Sequence, residues 1–553
     1  MTKSTTLRFF LACLTLVIIQ IIASNNSLRW DLTSDKRYSL SNTTIDYLDS
    51  INQPIRIDVF LNGKLPQEYQ RLRAETEILL QSITAQNDRL YFEFINPYQG
   101  AENSEQLISE MTGYGLFPEL VIEREDQAIE QSYVFPWMLL NLGNKTVRVS
   151  LLQKNLGDTP EQRILQSIQQ LEYVVMDGIY KILLEEKKKI AILSSHGTSK
   201  NILVTDFLQD LQPYYNLAAF DLKSFPEQPE KTLENLNRFD LLLVSNPKEI
   251  FSNTEKFILD QYTQQGGNSL YLVDPVIIET DSLYSKYGKT VSYENSLDLD
   301  DLFFKFGLRL RKEIVKDLFN APIVLAKGDQ NNSQYIPYPW PYNPLSKPNQ
   351  QHPIGSAVGS VLFQFGSPID TLKNNITKTI LIESSSHSKI EGIPSVISLS
   401  NSTKSINPSS FKVSEQPLGI LLEGVFNSLY ANRIKPFSFS ATTPKYARIA
   451  IFADGNLIEN QVRKGKPLEL GYDKWTNNFY SNKQFFQNTV HYLIDNNQLL
   501  NLRSKKIKIA MLDKELIRVN GLFWRYFSII SPLIILLLLG FILNDYRNKS
   551  YTE

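Results

Sequence analysis

Two long apolar runs bracket the chain, and between them hydrophobic positions fall into strand and helix periods by turns. The first run, residues 7–23, reads LRFFLACLTLVIIQIIA; the second, residues 527–543, reads FSIISPLIILLLLGFIL. About 17 residues at 1.5 Å each span roughly 25 Å, slightly under a hydrocarbon core of about 30 Å. Trp524, Tyr526 and Tyr546 flank the second run as interfacial aromatics do. The pattern predicts transmembrane helices over 7–23 and 524–543, with short tails at 1–6 and 544–553. The first run is longer than a secretory signal's apolar stretch, and Ile21-Ile22-Ala23 is a poor cleavage site, so it reads as an uncleaved anchor. Two spans put both termini on one side. Lys3, Arg8, Arg547 and Lys549 favour the cytoplasm, which places residues 25–523 in the periplasm of an inner-membrane protein.

The middle of the chain reads as α/β. Ser41 can cap a short helix, Pro54 introduces a strand (55–61), and a helix (66–85) and strand (90–95) complete a βαβ unit of thioredoxin-like character. Strands and turns alternate over 119–152. Thr159-Pro160-Glu161 starts a long helix through about Glu186. From Lys189, the strands KIAILSS, FDLLLVSNP and NSLYLVDP alternate with helical stretches, one opened by the capping box Ser252–Glu255. That alternation predicts a parallel, flavodoxin-like sheet. IPYPWPYNPLSKP (336–348) is too proline-rich for regular structure. Short strands follow, and after Pro444 a strand, turn and helix are expected before a long helix over Asn482–Ile494. The expected organisation is 25–155 (first α/β unit), 156–188 (connecting helix), 189–314 (flavodoxin-like unit), 315–445 (Pro/Tyr loop and β-rich segment) and 446–523 (C-terminal α/β and juxtamembrane segment).

Composition narrows the chemistry. The 553 residues suffice for three or four folded units. A net charge of −1 gives no field for nucleic acid. Cys13 is the only cysteine, which excludes disulfide frameworks and a cysteine nucleophile outside the first span; four histidines, none at helical ligand spacing, argue against a metal site. GxxxxGK[ST], GxGxxG, GxSxG and HExxH are absent, so nucleotide hydrolysis, dinucleotide binding, esterase and zinc-protease chemistry have no carrier, and no cofactor is expected. The one candidate pocket is Ser194-Ser195-His196-Gly197 after the strand beginning at Lys189, with Asn246 and Asp274 after two later strands. Ligands of open parallel sheets bind outside the carboxyl strand ends. These residue types cap helices and turn chains in every such fold, so structural capping is the ordinary reading; the six residues stand as a candidate ligand pocket, with no catalytic residue. Asp454-Gly455 after IAIF is a second instance of the pattern.

Several stretches resemble one family: WDLTSDKRYSLS (30–41), QQLEYVVMDGIYKI (169–182), YPWPYNPLSKPNQQHPI (338–354), PLGILLEGVFNSLYANRIKP (417–436), ADGNLIENQV (453–462), LELGYDKWTNNFYSNKQFFQNTVHYLID (468–495) and NLRSKKIKIAMLDKELI (501–517). They are similar, in order and over nearly the whole chain, to GldG, the auxiliary component of gliding-motility-associated ABC transporters. The resemblance implies a non-enzymatic, substrate-binding-like subunit in the membrane, working with a separate permease and a separate cytoplasmic ATPase, and with envelope motility proteins. It also implies an amidotransferase-like central unit. Enzymes of that type carry a cysteine nucleophile; this chain has Leu203 and Thr205 in that region, so the activity does not carry over. A structural envelope scaffold and a degenerate ligand-binding domain are the alternatives.

Overall fold

The computed structural model describes residues 39–551, apart from 101–102, 126–127, 154–158, 328–333, 440–442 and 495–513; over 123–130, 514–520, 522 and 547–551 only the backbone is described. The run 7–23 and Cys13 lie outside the described residues. The chain divides into two compact units, Met1–Lys506 and Ile507–Glu553.

The first unit opens with helix α1 (Asn42–Asp49), capped as expected by Ser41, whose hydroxyl accepts the Thr44 amide at 3.1 Å. A four-stranded sheet follows in the order β2-β1-β3-β4, with β1 (Ile55–Val59), β2 (Leu90–Phe94), β3 (Trp137–Leu142) and β4 (Lys145–Ser150). β1 runs parallel to β2 because helix α2 (Gln67–Gln86) carries the chain back; β3 and β4 add antiparallel. A separate hairpin, Glu119–Glu125 with Ala128–Val134, precedes β3.

Helix α3 (Pro160–Leu183) is buried on nearly every side, and its sequence provides for this. Thr159 caps the helix as expected, and with Gln162 it forms a capping box not singled out from the sequence. Gly178 brings the helix down onto β3 and β4: a Cβ there would stand 2.6 Å from Val149 and 3.0 Å from Leu140. Its two buried acids are paired. Glu172 accepts the Ser41 amide and the Thr44 hydroxyl, both at 2.7 Å, and Asp177 accepts Tyr214 Oη at 2.7 Å and Lys181 Nζ at 2.8 Å. α3 therefore joins the first sheet to the larger one.

The larger sheet has nine strands. In chain order they are β5 (Lys189–Leu193), β6 (Asn216–Phe220), β7 (Leu241–Ser245), β8 (Asn268–Leu272), β9 (Leu345–Pro348), β10 (Val361–Leu362), β11 (Thr377–Glu383), β12 (Pro417–Val425) and β13 (Tyr446–Phe452). Their spatial order is β10-β9-β11-β12-β13-β8-β7-β5-β6. The five from β13 to β6 are parallel; β12, β11, β9 and β10 continue antiparallel. The sheet thus draws strands from the segments 189–314, 315–445 and 446–523 alike. Helices α4 (Asn201–Leu211), α5 (Pro229–Leu236), α6 (Asn253–Gln264) and α7 (Asn482–Ile494) cover it, and both faces are packed. Leu242, Val244, Ile449 and Ile451 face one core with Phe257; Leu241, Leu243, Ala450 and Phe452 face the other with Phe207 and Phe486. Strands buried on both faces read as continuous hydrophobic runs, as FDLLLVSNP and NSLYLVDP do.

Two local expectations are corrected. The stretch 336–348 is not wholly irregular: Gln334–Tyr338 pairs with Ile323–Lys327, and Leu345–Pro348 is β9. Pro337 is tolerated because its ribbon has only two strands and needs no amide from it on the free side. The helix expected after β13 is absent. Residues 453–461 turn instead, pinned by Asn460, whose amide donates to Leu203 O at 2.6 Å and whose Nδ2 donates to Ile202 O at 3.1 Å.

In the second unit, helix α8 (Lys514–Tyr551) contains the one segment among the described residues long and apolar enough to cross a membrane, Phe523–Tyr546.

Candidate functional site

All of the expected pocket residues lie at the carboxyl edge of the parallel strands, but the structure divides them between two places. The first is the loop after β5. Ser194 donates to Phe220 O through its amide (2.9 Å) and hydroxyl (3.1 Å). Ser195 Oγ accepts the Leu222 amide at 3.3 Å and lies 2.9 Å from His196 Nδ1. His196 adopts φ +64° and Gly197 φ +62°, so the chain turns sharply and drives the imidazole inward. There the ring stacks on Phe251, with centroids 3.9 Å apart and planes at 8°, fully buried. Its Nε2 stands 3.3 Å from Glu255 Oε1, a close electrostatic contact whose alignment falls short of a hydrogen bond. Its carbonyl accepts the Lys248 and Glu249 amides at 2.7 and 3.0 Å, and Ser199 N donates to Ser245 O at 3.0 Å. The loops after β5 and β7 are thereby stitched together. This is the point where strand order reverses, where open sheets ordinarily leave a crevice; here it is closed.

Glu255 is the histidine's neighbour that the sequence did not reveal. Its capping box was legible, since Glu255 Oε2 accepts the Ser252 amide at 2.7 Å and hydroxyl at 2.6 Å. Nothing in the sequence indicated that its other oxygen would face His196. Burial pushes this carboxyl up, but His196 and Ser252 outweigh it and hold Glu255 down at about 2.

The second place lies two strands away. Asn246, at φ +52° and buried, donates through Nδ2 to Asn456 Oδ1 at 2.7 Å and Glu459 Oε1 at 3.1 Å. Asp274 Oδ1 accepts the Gly455 amide at 2.6 Å, and its Oδ2 accepts Lys248 Nζ at 3.2 Å. Asn246 and Asp274 therefore meet across the Asp454-Gly455-Asn456 turn; His196 and the two serines do not join them. Asp454 is buried, and accepts the Gln364 amide at 2.6 Å and the Asn456 amide at 2.9 Å. Burial, and then the charge of Asp274, raise its carboxyl well above the usual range.

Lys248, Gln364, Phe365 and Asn456 were not singled out in the sequence, yet with Asp274 and residues 276–281 they line a cavity of about 470 Å³. A smaller one of about 50 Å³ shares Gln364 and Asn456 and continues past Asp454 and Glu459 to Asp473. The only sequence signal for this second place was Asp454-Gly455 directly after a buried strand. Among the described residues, no group of three or more His, Cys, Asp or Glu side chains is placed to hold a metal ion.

Residues 187–489, more than half of the chain and including every element of this edge, match the family described as an ABC-type uncharacterized transport system. The chain belongs to that family of ABC transporter auxiliary proteins. Its role is therefore transport-associated and accessory, alongside other ABC transporter components. Residues 34–141 match a domain of unknown function, DUF7088. No curated protein matches the chain. Among solved structures, this ABC-type chain is similar to the N-terminal domain of mmIFT52, at 13% identity and a TM-score of 0.33 over 55% of this chain and 97% of that one. It is also similar to a ThuA-like protein from Parabacteroides merdae ATCC 43184, at 10% identity and a TM-score of 0.26 over 54% and 99% of the two chains.

Proposed function

We propose that this protein is a non-enzymatic, membrane-anchored auxiliary subunit of an ABC transporter linked to gliding motility. In this reading two helices, one at each end, hold it in the inner membrane. Its α/β body, which we read as a thioredoxin-like and a flavodoxin-like unit, stands in the periplasm and binds a substrate or an envelope partner. The observation that carries the reading is the family match over 187–489 in a chain that also holds a membrane-length helix, Phe523–Tyr546. The sequence has no phosphate-binding lysine loop, so energy has to come from a partner ATPase across the membrane, coupled through a permease. The fate of His196 supports a subunit without catalysis of its own. Ser195, His196 and Glu255 stand in the order of a nucleophilic relay, but Phe251 covers the ring and no cavity described above is lined by any of the three.

Gentle detergent extraction of the full-length chain, with mass spectrometry of what co-purifies, tests this. A polytopic permease and an ATPase in near-stoichiometric amounts are expected. Envelope motility proteins without them would replace the transporter reading with that of a scaffold.

A further inference from the structure

A small antiparallel sheet of Val276–Ile278, Lys289–Glu294 and Ser395–Ser398 carries its hydrophobic pattern reversed. Antiparallel sheets with one wet face ordinarily turn apolar residues in and polar residues out. Along the middle strand here, Thr290 and Ser292 are buried, while Val291 and Tyr293 are 49% and 42% exposed. The register sets Val396, 62% exposed, beside Val291, and half-buried Ile277 beside Tyr293. Four apolar side chains thus form one outward face. The opposite face packs through Ile278 and Ile397 against Trp340. A slip of one residue would turn Val291 and Tyr293 inward. Two serines hold the register against it: Ser292 Oγ accepts the Ser395 amide and meets Ser395 Oγ, both at 2.9 Å. The outward apolar face is therefore specified rather than incidental.

We propose that this face pairs with the same face of a second copy of the chain, about a two-fold axis. Area is the first argument. The connection 279–288 adds Tyr284 and Tyr287, 63% and 82% exposed. With them the region presents roughly 600 Å² of surface, taking about 150–250 Å² for a fully exposed large side chain. An ordinary monomer's largest apolar patch reaches about 300–600 Å² and is often functional. Two copies would bury about 1,200 Å², above the roughly 1,000 Å² that a specific interface needs. Charge is the second argument, because a two-fold interface must tolerate itself. Around this face Glu279, Asp281 and Glu294 are balanced by Lys286, Lys289 and Lys312, the last 3.4 Å from Glu294. By contrast, the exposed apolar face of the 119–134 hairpin, Leu120, Ile122 and Tyr133, belongs to a segment with five carboxylates and one arginine, and a second copy of it would be repelled. The third argument is rigidity: Tyr293 donates its hydroxyl to Glu279 at 3.1 Å, which fixes the ring before it is covered. The pairing goes beyond the transporter reading and does not depend on it.

The test is the mass of the full-length protein in detergent, by light scattering during size-exclusion chromatography, with crosslinking in membranes beside it. Twice the chain's mass is expected, falling to the monomer on dilution. Val291→Lys with Val396→Lys puts like charges face to face and is expected to raise the dissociation constant at least about a hundredfold, with Tm unchanged. Leu120→Lys, on the hairpin, is expected to leave the dimer intact. In membranes, a short bismaleimide is expected to join two copies carrying Cys13→Ser and Val291→Cys. Should the double lysine variant fail to fold, Tyr287→Ser in the exposed connection is expected to weaken the dimer severalfold. A dimer that these variants leave intact overturns the proposal by placing the contact elsewhere. A monomer in detergent with no crosslink in membranes overturns it too, as does a crosslink only to a different protein. Co-purification of a permease and an ATPase is a separate result that none of these outcomes changes.

Discussion

The loops after β5 and β13 begin alike: a buried strand, then small polar residues and a glycine. They end as different things. In Ser194–Gly197 the polar groups turn inward, and the imidazole becomes a plug between Phe251 and Glu255. In Asp454–Asn456 they face a cleft. The difference comes from their neighbours. β5 has parallel strands on both sides, and the adjoining β7 loop bonds to the His196 carbonyl and closes the switch point. β13 has a parallel neighbour in β8 and an antiparallel one in β12. The direction reverses there, so β12 enters on that edge instead of leaving it, and the segment 364–367 lies on the end of β13 through Ser367 N–Ala453 O (2.9 Å) and Gln364 N–Asp454 Oδ2 (2.6 Å), with the cavities beside it. The position of the crevice follows strand direction as much as strand order.

The comparison can be broken most sharply at the glycines and the histidine. Gly455→Val is expected to cost about 3 kcal/mol in chemical unfolding, because its branched side chain must displace Asn246 and Asp274, whose hydrogen bonds hold them in place. A cost under about 1 kcal/mol would mean that this wall yields. His196→Ala removes a buried ring from its stack on Phe251 and is expected to cost about 2 kcal/mol. A cost under about 0.5 kcal/mol would mean that the stack on Phe251 does not hold the loop. Gly197→Ala places a Cβ at φ +62° and should cost about 1–2 kcal/mol, read as a lower Tm.

The smallest effect is one of pH. Glu255 is held at about 2 when folded, against about 4.5 ordinarily. A carboxyl depressed in this way contributes stability that is complete above about pH 4.5 and is lost as pH falls through about 2. Glu255→Gln is therefore expected to flatten the acid limb of a stability–pH curve between those values, with little change in shape above it. An unchanged acid limb would show that His196 does not hold the carboxylate.

Much of the fold was legible because its signals are local. The Thr159-Pro160 helix start, the capping box at Ser252, the buried strands from Lys189 onward and the helix over Asn482–Ile494 each depend on neighbouring residues in the chain. The misses have a common cause. Pro337 could enter a strand only because its ribbon is two-stranded, and 453–461 could avoid a helix only because Asn460 bonds to residues more than 250 positions earlier. The candidate site was half legible on the same grounds. Asn246 and Asp274 were found from their position after strands. Lys248, Gln364 and Asn456 were not, because nothing local distinguishes them from other loop residues.

By itself the sequence determined the membrane-length apolar run at 527–543, the α/β alternation, the absence of a nucleotide-binding loop, and which residues stand at strand ends. Those properties follow from periodicity and residue type over a few neighbouring positions. Only the tertiary structure decided which strand ends open onto a cleft, that His196 faces Glu255 rather than Asp274, and that β9–β12, from the proline-rich middle, complete the sheet. Each of these rests on contacts between distant parts of the chain, whose energies depend on strand direction and packing and leave no periodic trace in the sequence.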